Sequence, residues 1–196
     1  HGCTPIGLER EITRAGDGWI YEIDGRSAWT VFKEYLDGDP QDLTAEGISH
    51  LCIGESLDPG LDENYGPYVI RSPYHLDKES GGLFFPGGGL EEGRRIQLTR
   101  RDTERIISSA RECAQGILER RNGRKPEMVL QFDCAGRGRV LFGQDACSAI
   151  VEPLQKILGE ETPWLGFHTY GEIAPIGHSP FYHNYSVALC AFYDSI

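Results

Sequence analysis

The stretch from Asp102 to Arg121, DTERIISSARECAQGILERR, constrains the fold more than any other part of the chain. Ile106, Ile107, Ala110, Cys113, Ala114, Ile117 and Leu118 recur at helical spacing and form one apolar stripe, with charged residues opposite. Such a stripe needs an apolar surface to lie on, and its neighbours in sequence offer one. RRIQLTR before it and EMVLQF after it are strand-length runs, the second apolar enough to predict burial on both faces. NGRKP ends the helix with turn chemistry.

The remaining segments fill in around this unit. In GWIYEIDGRSAWTVFKEYLDG, Trp19, Tyr21 and Ile23 alternate as in a strand. From Ala28 the apolar positions 28, 31, 32, 35 and 36 define a helix face, with Ser27 as N-cap and Gly38 as stop. Residues 39–95 are rich in Gly, Pro and Asp, and the runs SHLCIGESL, GPYVIRSPYHL and GGLFFPGGG predict antiparallel strands joined by turns. A third helix is expected from about Asp145 to Leu158, closed by Gly159, with Pro153 marking a kink or a late start. WLGFHTYGEI and YSVALCAFY finish the chain as strands. The order β-α-β-β-β-α-β-α-β-β predicts an α+β fold: a mixed, largely antiparallel sheet with three main helices packed on it. No repeat or linker divides the chain, so residues 1–196 read as a single domain.

Charge and composition exclude several functions. The net charge of −11 repels phosphate backbones and anionic membranes, which argues against nucleic-acid and membrane partners. No apolar run approaches the roughly eighteen residues of a spanning helix. The six cysteines are widely spaced and include no CxxC pair, so neither a disulfide framework nor a zinc site is expected. Cys52, Cys113 and Cys190 lie among apolar neighbours and read as small buried hydrophobes. A reducing cytoplasm is the expected location. The chain opens on His1 rather than Met, which reads as an excised fragment. ERRNGRK at a helix end reads as a solvated basic face.

Chemistry-bearing residues concentrate in the last third. FDCAGRGR places Cys134 at a strand end before Gly136, Arg137, Gly138 and Arg139. A thiol beside arginines is a candidate nucleophile, the glycines would let backbone N–H groups approach an anion, and the arginines would fork onto a carboxylate or phosphate. A strand-to-loop turn with solvent-facing arginines is the alternative. In WLGFHTYGEIAPIGHSPFYHNYS, His168 and Glu172 on one regular strand would stand roughly thirteen ångström apart, too far to chelate together. Gly171 predicts a bulge or bend that turns Glu172 toward a cavity, where an enclosed carboxylate needs a cation or donors, Arg137 being one candidate. His183 and Asn184 are ligand donors or the turn before the last strand. Gly87 to Gly89 lack the Lys-Ser/Thr ending of a phosphate loop and read as a flexible hairpin tip.

CAGRGRVLFG, GFHTYGEIAPIG and FYHNYS, with GCTPIG and YVIRSP upstream, resemble the C-terminal half of FIST domains. The resemblance implies a sensory module of bacterial signal transduction that binds small ligands such as amino acids, without enzymatic activity or cofactor. It carries Arg71, Cys134, Arg137, Tyr170, Glu172, His183 and Asn184 as ligand-binding residues. It also implies that the N-terminal half of the FIST unit is absent here, with that half or a downstream protein such as a histidine kinase as partner. Haem-based nitric-oxide sensing, with His75, His168, His178 or His183 as axial ligand, is the alternative. A Cys134 amidohydrolase or transferase using His168 or His183 as base, and an interaction scaffold like F-box relatives, complete the set.

Overall fold

The computed structural model describes residues 1–43, 51–58, 60–61 and 65–194. The chain divides into two compact units, one formed by residues 4–101 and 175–182, the other by 1–3, 102–174 and 183–196.

The first unit carries a curled sheet in the order β5-β4-β8-β1-β2-β7-β6, with a short β3 paired to β2. Its strands are β1 (Cys3–Gly16), β2 (Trp19–Ile23), β3 (Arg26–Ser27), β4 (Leu51–Ser56), β5 (Tyr68–Arg71), β6 (His75–Asp77), β7 (Gly82–Phe84) and β8 (Arg95–Arg101). Between β3 and β4 lies α1 (Ala28–Lys33). The β1 strand was not predicted, because only Cys3 and Ile12 of its fourteen residues are buried and no apolar alternation betrays it. In β2 the buried residues are Ile20 and Ile23, whereas Trp19 and Tyr21 stack with each other on the more open side. Register shifts in the β1–β2 ladder between Ile12 and Ala15 account for this departure from strict alternation. Ile12, Ile23, Val31, Phe32, Ile53, Phe85 and Leu98 belong to the core. α1 ends well before Gly38, and Ser27 makes no side-chain cap bond; its hydroxyl donates instead to the Gly81 carbonyl. The Ser49–His50 start of the predicted SHLCIGESL strand lies outside the described residues.

The second unit is built on the predicted strand-helix-strand segment. α2 (Thr103–Glu119) starts at Asp102, whose carboxylate accepts from the Arg105 N–H at 3.0 Å. It buries Ile106, Ala110, Ala114 and Ile117, while Cys113 is exposed. β9 (Met128–Cys134) is the centre of a three-stranded sheet, parallel to β10 (Trp164–Thr169) and antiparallel to β13 (Val187–Phe192). Between β9 and β10 come α3 (Arg139–Phe142), a 3-10 turn (Gly143–Asp145), a π-helical turn (Cys147–Val151) and α4 (Glu152–Leu158). Pro153 sits in the first turn of α4, so the late start expected of it is what the chain does. Val129 joins Ala110, Ala114, Ile117, Leu154 and Leu158 in the core beneath the helices.

Burial of β9 on both faces, expected from EMVLQF, is not observed. Val129, Gln131 and Asp133 are buried, but Met128 is exposed and Leu130 and Phe132 are only partly covered. Cys190, expected to be buried, is exposed on the neighbouring β13. The helices thus cover one face of this sheet and leave the other open.

The predicted strand WLGFHTYGEI breaks at Tyr170–Gly171 into β10 and β11 (Glu172–Ile176), as a bend at Gly171 requires. β11 pairs with β12 (Ser179–His183) across a tight turn in which Gly177 holds φ 59°. The bend separates His168 from Glu172, so they do not share one regular strand.

Candidate functional site

The C-terminal end of β9 is where the polar side chains of the second unit gather. The Cys134 N–H donates to the Ser186 carbonyl at 3.0 Å, and the Ala135 N–H donates to the Thr169 carbonyl at 2.7 Å. These bonds bring the ends of β9 and β10 and the approach to β13 together. Gly136 and Gly138 follow, and their role is steric. A Cβ on Gly136 would collide with the Tyr185 ring, and one on Gly138 with Ile150 Cδ1. The glycines expected to expose backbone to an anion therefore make room for packing.

Two buried acids lie in this region with different partners. Asp133 Oδ2 accepts from Arg137 Nη1 at 2.7 Å and from Gln131 Nε2 at 3.0 Å. Arg137 is fully buried, and its Nη2 donates to the Ile106 carbonyl at 3.1 Å. The arginine expected to neutralise Glu172 is thus bound to Asp133.

Glu172, 4% exposed, is held by hydroxyls. Ser186 Oγ donates to its Oε2 at 2.7 Å, and Thr169 Oγ1 donates to its Oε1. Burial pushes the Glu172 carboxyl above its ordinary range; the two hydroxyl bonds oppose that shift and the negative charge of Asp133 adds to it. Cys134 is buried beside it. Burial, then the charge of Glu172, raise its thiol, the opposite of what a nucleophilic cysteine requires.

His183 and Asn184 are buried at the exit of β12. His183 Nε2 donates to the Ala174 carbonyl at 3.0 Å, which places a proton on that nitrogen. Asn184 Nδ2 donates to the Tyr170 carbonyl at 3.5 Å across the strand break. Tyr170 itself is 80% exposed.

Cys134, Arg137, Glu172, His183 and Asn184 thus occur in or beside one polar region of the second unit, with Tyr170 at its surface. Arg71 belongs to the first unit. There its Nη1 meets Glu55 at 3.2 Å, and its Nη2 donates to the carbonyls of Pro86 at 2.9 Å and Gly88 at 2.5 Å. Its guanidinium also lies over the Tyr182 ring at 5.4 Å. Burial pushes Arg71 down and Glu55 up, toward their neutral forms, against the attraction between them. The Gly87 loop, expected to be a loose hairpin tip, is fastened by these bonds and lies against Tyr182. The basic ERRNGRK segment also has a packing role, since Arg121 and Arg124 lie over the Tyr193 ring at 4.9 and 5.8 Å.

Thr169, Ser186, Asp133 and Gln131 were not singled out from sequence. The last two carried a signal: polar residues at period two with Val129 in an otherwise apolar strand must have buried partners. The hydroxyls were passed over: Thr169 stands three residues before Glu172, a spacing with no fixed meaning in a predicted strand, and Ser186 follows it by fourteen.

The four candidate haem ligands do not fit that group. His183 is bonded to a carbonyl, while His75, His168 and His178 are exposed side chains on separate elements rather than in an apolar cleft. Among the described residues no group of three or more His, Cys, Asp or Glu side chains is arranged to hold a metal ion. None of the seven predicted residues lines the open groove of about 510 Å³ bordered by Lys125, Glu127, Lys156 and Glu161. Among the described residues no helix is long and apolar enough to cross a membrane.

The model of the FIST C domain family matches residues 28–175. That span contains Arg71, Cys134, Arg137, Tyr170 and Glu172 and stops before His183 and Asn184. No curated protein and no solved structure matches the chain significantly.

Proposed function

This chain belongs to the FIST C domain family, a family of sensory domains in signal transduction, and from that premise we propose that it binds a small amine-bearing ligand, such as an amino acid, at Glu172. One observation carries the reading. Glu172 is a nearly buried carboxyl held by two neutral hydroxyls, whereas Arg137, the arginine expected to neutralise it, is bound to Asp133. Ionised, such a group favours an approaching cation; without one it favours its proton. An ammonium supplies that cation, and the exposed Tyr170 ring at the strand break offers a face for the ligand's apolar part.

Thr169 and Ser186 orient the carboxylate, and His183 and Asn184 hold the backbone on either side of the break. The role proposed is sensory and non-enzymatic, and the raised Cys134 thiol speaks against the cysteine-nucleophile alternative. In the cell the domain would act in the cytoplasm, with the N-terminal half of a FIST unit or a downstream protein such as a histidine kinase receiving the signal. Thermal-shift titration with a panel of amino acids tests the site. Stabilisation by one of them in the unaltered protein and its loss in Glu172→Gln are expected. Equal stabilisation of both proteins would remove Glu172 from the site.

A further inference from the structure

The outer edge of β10 is open and unguarded. Among the described residues β10 pairs with β9 alone, and no strand lies on its other side. Four consecutive residues, Leu165, Gly166, Phe167 and His168, are exposed, with Leu165 at 56% and Phe167 at 59%. Exposed edge strands are ordinarily protected by lysines, prolines, bulges or a covering loop. Trp164–Thr169 contains no charge and no proline, and its ladder with β9 runs without a bulge.

The direction of its backbone groups fixes how another strand would join. The carbonyls of Pro163 and Thr169 point toward β9, where they accept from Val129 and Ala135. N–H and C=O of one residue point the same way in a strand and alternate along it. Trp164, Gly166 and His168 therefore direct their backbone groups to the open edge.

We propose that a second copy of this chain pairs here, β10 against β10, antiparallel about a two-fold axis at Gly166. The sequence Trp-Leu-Gly-Phe-His is chemically symmetric about that glycine. The axis sets Gly166 opposite itself, Trp164 opposite His168 and Leu165 opposite Phe167 of the second copy. Residues opposed in this way share a face, so ring meets ring and apolar meets apolar on both sides of the axis, as an isologous contact demands. The register joins outward-pointing groups to outward-pointing groups and gives about six new main-chain hydrogen bonds. Leu165 and Phe167 fall at the non-hydrogen-bonded positions, where side chains approach most closely. An uncharged strand also suits self-association in a chain of net charge −11, whose charged surfaces repel their own kind. The product is a continuous six-stranded sheet, β13-β9-β10 followed by the same strands of the second copy in reverse.

Two measurements on the chain as it stands test this. Sedimentation equilibrium over a concentration series should give twice the chain mass at high concentration. The Leu165→Lys/Phe167→Lys variant should give the chain mass throughout, with unchanged circular dichroism. Hydrogen exchange of the unaltered protein should show the amides of Gly166 and His168 slowing as concentration rises. That readout needs no variant and stands if the variant misfolds. A monomer at every concentration, a folded variant that still dimerises, or amides indifferent to concentration would each overturn the pairing.

Discussion

Replacing Arg137 by methionine tests the most deeply buried charge pair of the second unit. Methionine keeps much of the arginine's length and removes its charge and donors. Asp133 and Arg137 are 3% and 0% exposed at the side chain and 2.7 Å apart, so the pair is buried on both sides. After the change Asp133 retains the Gln131 amide at 3.0 Å, and the Ile106 carbonyl loses its guanidinium donor. Among the described residues Asp133 Oδ1 has no hydrogen-bond partner, so the stranded charge has little to fall back on. Breaking a buried pair from one side costs about 3–5 kcal/mol. At about 1.4 kcal/mol per factor of ten, amide protection in β9 and α2 should fall roughly a hundred- to several-thousand-fold. Native-state hydrogen exchange with peptide resolution measures it directly in these elements. Adding Asp133→Asn should recover part of the loss by removing the charge, a non-additivity expected of contacting residues. A fall of less than about tenfold in the single variant would refute the claim that Arg137 neutralises a buried carboxylate.

Glu172 should make stability depend on pH in the direction opposite to a salt-bridged acid. Its folded-state value lies above the ordinary carboxylate value, so its contribution is fully present below that ordinary value and lost as pH rises through the folded one. Melting temperatures of the unaltered protein and Glu172→Gln should therefore converge as pH falls from about 8 to about 5, the variant being the more stable at the upper end. A gap that widened on acidification would contradict the assignment. Alkylation by iodoacetamide near neutral pH, followed by peptide mass mapping, should modify the exposed Cys147 and Cys190 well before the buried Cys134. Preferential labelling of Cys134 would restore the nucleophile reading.

The parts of the fold legible in the sequence are those in which one physical cause dominates. α2 was visible because its apolar stripe, its polar face and the NGRKP stop all agree. The bend at Gly171 and the late start at Pro153 were visible because each follows from the backbone of a single residue type. β1 was hidden because a long strand with two buried residues leaves no alternation to find. β9 misled for a related reason: an apolar run signals burial, yet Met128 is exposed and Leu130 and Phe132 are only partly covered. At the site, Glu172 was legible as a carboxylate that a bend encloses, and His183 and Asn184 as ligand donors or the turn before the last strand. Their partners were not, since Thr169 reaches Glu172 only because the chain bends between them, and Ser186 comes from fourteen residues further on, ahead of β13.

The difference between Asp133 and Glu172 follows from how each meets its partner in the chain. Asp133 has an arginine four residues ahead on a tight glycine-bounded turn, so its neutralisation is completed within one segment. Glu172 draws its donors from β10 and from the lead-in to β13, and those donors are neutral. A hydroxyl bond to a carboxylate is stronger than one to a carboxyl. Anything that draws Glu172 toward its ionised form, an ammonium above all, therefore tightens both bonds at once. It pulls Thr169 at the end of β10 and Ser186 before β13 onto the same carboxylate. A buried acid left without its own cation is in this way a coupling point between strands, whereas a buried acid already paired is only a strut.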